Sequence, residues 1–225
     1  MLSLARIVVL STVPAVLAAC LGTECLDEFP ARPGLTASIV RVHQVGGAID
    51  IGSAPDGADL STMGGDIHVG NSGAFVHAKT MGGDITVDQA AGVVDASTMG
   101  GKINIGRTSG SIKASTMAGD VTAHLTGPST APRDVTLSSM SGAILLTVPK
   151  DYGMEVQIKL AYTKNSEGKY RVIQHLGLNE RQSTEWDTSH GGSPLKYIYV
   201  TGRVGNGQNR VKIETINGDI ALKLE

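Results

Sequence analysis

The chain has 225 residues, of which 29 are glycine and only two Phe, five Tyr and one Trp are aromatic, and its formal net charge is −2. So few large rings argue against an ordinary globular core and for thin layers of aliphatic side chains. The near-neutral charge removes the electrostatic case for nucleic acid as a partner.

Residues 1–19 read as an export signal. Arg6 is the lone side-chain charge, Ile7 to Val16 is mostly apolar, and Leu17-Ala18-Ala19-Cys20 follows. The apolar stretch is too short to cross a bilayer as a mature helix, and small residues end it. Leu17-Ala18-Ala19-Cys20 resembles the bacterial lipobox, which implies cleavage before Cys20 and a lipid on that cysteine. The alternative is cleavage after Ala18, which leaves Cys20 and Cys25 to pair in an oxidising compartment and the product soluble. Leu21, rather than an acidic residue, resembles the signal that sorts lipoproteins to a Gram-negative outer membrane. Residues 20–44, with Pro30 and Pro33, read as a tether or N-terminal cap.

From residue 45 the chain is periodic. Met63, Met81, Met99 and Met117 fall 18 residues apart inside near-copies of one phrase, STMGGDIHV, KTMGGDITV, STMGGKINI and STMAGDVTA. A fixed period of this length marks one unit stacked on itself. Within it lies a beat of nine in which a small residue precedes alternating apolar positions, as in Gly65-Asp-Ile67-His-Val69 and Ala74-Phe-Val76-His-Ala78. Alternation at period two predicts a strand with one buried face, about five strand residues and four turn residues per nine.

Two strands per repeat predict an all-β parallel β-helix, or solenoid, of two-sided 18-residue coils. It is right-handed by the rule for parallel crossovers. Ile67, Val69, Ile85, Val87, Ile103 and Ile105 would line one inner face, and Val76, Ala78, Val94, Ala96, Ile112 and Ala114 the other. The outward columns would be Asp50, His68, Thr86, Asn104 and Thr122 on one sheet, and Asp59, His77, Asp95 and Lys113 on the other. The paired glycines after each methionine suggest a corner whose backbone angles a Cβ would hinder. Stacked methionines suggest packing in the gap beside that corner, in preference to a soft-metal site or an oxidation sensor.

After Ala123 the beat slips at Gly127–Pro132 and resumes at Val135. It vanishes over about residues 163–195 and returns at Ile198, Val211 and Ile220. The domain reading is therefore a solenoid over 45–225 with one long irregular excursion, which caps the stack or lies along its side.

The T-M-G-G-D-I-x-V units, the Val148-Pro-Lys-Asp-Tyr-Gly153 run and the closing Thr215-Ile-Asn-Gly-Asp-Ile220 phrase resemble a bacterial family. It is the adhesin-like, β-strand-repeat domain of unknown function found in envelope proteins and lipoproteins. The resemblance covers roughly residues 36–225 and implies a β-helical exported protein, with no ligand and no catalytic residues to carry over.

Asp66, Asp84 and Asp120 share one column with Lys102, which would relieve their repulsion, while the second half-repeats lack the regular carboxylate a calcium-binding β-roll needs. The histidines show no zinc spacing, and Ser183, Asp187 and His190 lie close together without a nucleophile elbow. No metal, cofactor or catalytic residue is therefore expected. Cys20 is the expected lipid acceptor, and Tyr170, Trp186, Tyr197 and Tyr199 form the one candidate contact patch. The function expected is a non-enzymatic, membrane-anchored envelope lipoprotein whose rod is a scaffold or a binding surface for envelope polysaccharide or protein. A polysaccharide-acting enzyme and a self-assembling module are the alternatives.

Overall fold

Alternating apolar residues become strands whose inward side chains are almost wholly removed from water. A computed structural model describes residues 38–127, 132–189 and 192–225, together with the backbone of Ile7 and Val8. The rest of the expected leader, Cys20, Cys25 and most of the tether lie outside the described residues. Among the described residues the chain is all-β, with one 3-10 turn at Lys164–Ser166 and no α-helix.

The first thirteen strands are β1 (Ile7–Val8), β2 (Val40–His43), β3 (Ile49–Ala54), β4 (Ala58–Ser61), β5 (Ile67–Ser72), β6 (Phe75–Lys79), β7 (Ile85–Ala90), β8 (Val93–Thr98), β9 (Ile103–Thr108), β10 (Ile112–Thr116), β11 (Val121–Leu125), β12 (Val135–Ser139) and β13 (Ile144–Val148). They alternate strictly between two sheets, odd numbers in one and even numbers in the other. From β1 to β11 each pairs in parallel with the strand two places on. Ile49 lies beside Ile67, Ile67 beside Ile85 and Ile85 beside Ile103, while Val76 lies beside Val94 and Val94 beside Ile112. From β2 to β11 the offset is therefore 18 residues, and it widens to 23 between Ile112 and Val135 across the Gly127–Pro132 insertion. Such long parallel sheets are consistent with a β-helix.

The expected inner columns are the core. Ile67, Val69, Ile85, Val87, Ile103, Ile105, Val76, Ala78, Val94, Ala96, Ile112 and Ala114 are all buried. Each buried Val or Ile stabilises by roughly 1.5–3 kcal/mol, so burial accumulates along the stack. The outward columns also fall in register, Asp50-His68-Thr86-Asn104-Thr122 on one sheet and Asp59-His77-Asp95-Lys113 on the other.

Three local expectations need correction. Four strands of the odd sheet, β3, β5, β7 and β9, run to six residues: register skips at Gly52 and Gly70, and Ala54, Ser72, Ala90 and Thr108 form a third buried column. The glycine pair is explained by closeness rather than by angle. A Cβ on Gly65, Gly83 or Gly101 would run into the carbonyl of Gly47, Gly65 or Gly83, and none of the three has a positive φ. Their partners Gly64, Gly82 and Gly100 face open space or ordinary contact, which is why Ala118 and Ser141 stand at that position in later copies. The methionines do not fill a gap, because Met63, Met81, Met99, Met117 and Met140 are each about half exposed.

The C-terminal third departs furthest from expectation. β14 (Met154–Thr163) joins the even sheet, and β15 (Val172–Gln174) lies at the edge of the odd one. β16 (Asn179–Gln182) and β17 (Leu195–Val204) run antiparallel, with β17 paired along the whole of β14. The stretch expected to be irregular thus carries strands. β18 (Asn209–Ile216) then fits between β12 and β14, and β19 (Ile220–Leu224) between β13 and β15. The last two strands therefore extend the regular stack, and the segment before them lies beyond them at its end.

Candidate functional site

Outward residues of three neighbouring strands shape a broad cleft. Met154-Glu-Val-Gln-Ile-Lys-Leu160 buries Met154, Val156, Ile158 and Leu160, so Glu155, Gln157 and Lys159 face out. The same alternation turns Lys212 and Glu214 outward on β18, and Tyr199, Thr201 and Arg203 on β17. These eight side chains line a cleft of about 560 Å³. Register places Thr201, Gln157 and Lys212 in one row, and Tyr199, Lys159 and Glu214 in the next. Lys212 pairs with Glu214 at 3.2 Å. The lining is amphipathic, with one ring face, an amide, a hydroxyl and charges of both signs, and it suits a hydroxyl-rich ligand.

Of the four aromatic residues expected to form a contact patch, only Tyr199 lines this cleft, at 40% exposed. Its neighbour Tyr197 lies 5.8 Å away ring to ring and is buried. Tyr197 donates its hydroxyl to Asp187 at 3.0 Å, and Lys159 stands 4.6 Å above its ring. Burial, followed by the Asp187 hydrogen bond, raises the Tyr197 phenol above its usual value. Trp186 meets Tyr162 edge-on at 6.0 Å and carries Lys196 over its ring, while Tyr170 and Trp186 both pack partly buried against the core. Three of the four rings therefore fasten the segment between β14 and β17 onto the sheets.

Ser183 and Asp187, noted in sequence beside His190, both serve Tyr197. The Ser183 hydroxyl accepts from the Tyr197 amide and Asp187 accepts the Tyr197 hydroxyl. His190 lies outside the described residues. The aspartate column has a structural use that its sequence spacing did not reveal. Asp66 accepts the Asp84 amide at 2.8 Å, Asp84 the Lys102 amide at 2.7 Å, and Asp120 the Ala143 amide at 2.9 Å. Lys102 also approaches Asp120 at 3.8 Å. No group of three His, Cys, Asp or Glu among the described residues is placed to hold a metal ion.

Sequence reasoning named Tyr199 but missed Glu155, Gln157, Lys159, Thr201, Arg203, Lys212 and Glu214. Their outward direction was legible in the alternation, whereas their meeting depends on β18 entering beside β14. No helix among the described residues is long and apolar enough to cross a membrane. No family model, curated protein or solved structure matches the chain.

Proposed function

We propose that this chain is an exported, non-enzymatic lipoprotein of the bacterial cell envelope, of the adhesin-like β-repeat kind, anchored through Cys20. Its body is a β-solenoid of two-sided 18-residue coils, wound right-handed, that acts as a rigid stalk for a binding surface. The observation that carries this reading is where the cleft sits. In the even sheet, β2, within the C-terminal end of the 20–44 segment, is at one edge, and β14 lies seven inter-strand steps away. At ~4.8 Å per step the cleft stands about 34 Å from the tethered edge. A lipid at Cys20 would hold one end of the rod at a membrane and present Tyr199 and its polar neighbours to envelope polysaccharide at the other.

Mass spectrometry of the mature N-terminus tests the anchor. An acylated Cys20, with Cys20→Ser released to the soluble fraction, is the expected result, and an unmodified N-terminus at Ala19 contradicts it. Binding to purified envelope polysaccharide tests the cleft, with Tyr199→Ala and Gln157→Ala losing affinity. Two carboxylates in one cleft, Glu155 and Glu214, favour a second reading as a polysaccharide-cleaving enzyme, since such chemistry uses a carboxylate pair. Turnover of bound polysaccharide abolished by Glu155→Gln or Glu214→Gln would replace the binding reading with that one.

A further inference from the structure

Five thioethers stand in one exposed line along a corner of the stack. Met63, Met81, Met99, Met117 and Met140 are 46–53% exposed, and each follows a buried hydroxyl residue, Thr62, Thr80, Thr98, Thr116 or Ser139. The backbone holds them rung to rung: the Met99 carbonyl accepts the Ala118 amide at 3.1 Å, and the Met140 amide donates to the Thr116 carbonyl at 3.2 Å. The line therefore continues past the insertion that interrupts the sequence period.

The fold itself does not demand methionine there. The same corner position is filled by Val45 before the line and by Ile216 after it, so a branched aliphatic residue turns the corner equally well. Burial does not demand it either, because half of each side chain remains in water. Five consecutive thioethers on one line thus need a reason that lies outside packing.

We propose that this ladder is a binding site for a soft, monovalent d10 metal ion, Cu(I) in the first place, held between thioethers of neighbouring rungs. Thioether sulfur is a soft, neutral donor that selects Cu(I) over hard or borderline cations. Rungs of a parallel sheet repeat at ~4.8 Å. At that spacing the long side chains of two neighbouring rungs can reach one ion held between them. Methionine is flexible enough for a third rung to lean in. The carboxylates one strand-start away, Asp66, Asp84 and Asp120, are hard donors that compete poorly for Cu(I), and each already accepts a backbone amide. The ion arrives as Cu(I) and leaves as Cu(I), with no electron or proton transferred. Neither the lipid anchor nor the cleft takes part in this site.

The test uses the full chain carrying Cys20→Ser and Cys25→Ser, so that thiolates cannot bind the ion. Cu(I) held by a coloured competing chelator is titrated with this protein, and Ag(I) serves as an air-stable probe in native mass spectrometry. At least one ion per chain is expected to transfer. Met81→Leu/Met99→Leu/Met117→Leu weakens binding by about 100-fold or more with unchanged circular dichroism. Affinity stays level between pH 5 and pH 7, because a thioether has no proton to lose, unlike imidazole or thiol. No transfer overturns the proposal, as does a triple-leucine variant that still binds. Binding that collapses at pH 5 and disappears in His68→Asn/His77→Asn also overturns it. Should the triple variant fail to fold, X-ray absorption on the unsubstituted methionine ladder decides. A sulfur-dominated copper shell supports the site, and a nitrogen or oxygen shell refutes it.

Discussion

At each repeated corner a buried hydroxyl donates to the carbonyl of a glycine fifteen residues back: Thr80 to Gly65, Thr98 to Gly83 and Thr116 to Gly101, all at 2.9 Å. Ser139 and Thr215 repeat the bond to Gly119 and Gly142. Thr98 also accepts the Gly101 amide at 3.3 Å, so one side chain ties two glycines together. Thr98→Val keeps the shape and removes both bonds, and should cost about 1–3 kcal/mol in chemical denaturation. A change below a few tenths would show that the hydroxyl column is incidental. His68 offers a pH-dependent test on the outer face. Its ring meets Asp50 and Asp88 at 3.0 Å each, and the Asp50 hydrogen bond, ahead of Asp88, raises the imidazole above its usual value against a smaller effect of burial. A raised folded-state value stabilises fully below the unfolded value of about 6.5, and the gain is lost as pH climbs through the folded value. The melting advantage of the unsubstituted protein over His68→Asn should therefore shrink from pH 5.5 to pH 8. Exposure limits it to under ~1 kcal/mol. An advantage that grows with pH would contradict this account.

Strand pairing brings backbones so close at the corners that a single methyl group decides whether a rung fits. Gly83→Ala puts its Cβ into the Gly65 carbonyl, whereas Gly82→Ala meets only the Met63 carbonyl at an ordinary 3.9 Å. Backbone must move in the first case, so a loss of several kcal/mol is expected, against less than about 1 kcal/mol in the second. Thermal melts of the two variants measure the contrast, and equal effects would refute the close-approach explanation. The sequence already separates these positions, since Gly82 has Ala118 and Ser141 as counterparts while Gly83 has only glycines. The strand faces were equally legible, because period-two alternation fixes inside and outside for every residue. What could not be read was the neighbour of each strand. Val156-Gln-Ile158 and Val211-Lys-Ile213 carry the same pattern, so either could pair with Val135. The choice falls to Val211, supported by Asn209, whose side-chain oxygen accepts the Arg133 amide and whose amide group donates to the Gly153 carbonyl. The methionines were misread for a related reason: alternation says which face a strand residue takes, but not which way a corner residue points.

Over the whole molecule, the segment between β13 and β18 closes one end of the stack. β16, with sequence Asn-Glu-Arg-Gln and every residue exposed, is the outermost strand of the even sheet. A short, charged, polar strand discourages pairing with another chain at an open edge. The same segment builds most of the cleft, so the cap and the proposed binding surface draw on one insertion. Arg133 braces the start of that segment. Its guanidinium is buried, donates to the Ser109 and Thr126 carbonyls at 3.0 and 2.9 Å, and lies 5.4 Å from the Tyr152 ring centre. Burial pushes the Tyr152 phenol up to about 12, and its hydroxyl donates to the Arg133 carbonyl. The central claim is that parallel rungs repeat every 18 residues and that the C-terminal strands rejoin the stack beside β12. Asp59 and Lys212 occupy the same outward column, five inter-strand steps apart. Spin labels at Asp59→Cys and Lys212→Cys, in a chain lacking Cys20 and Cys25, measure that span by dipolar electron resonance. A narrow distribution near 24 Å is the expected result, at ~4.8 Å per step. A separation of about 29 Å or more, as if β18 lay outside β14, or a broad distribution, would contradict the account.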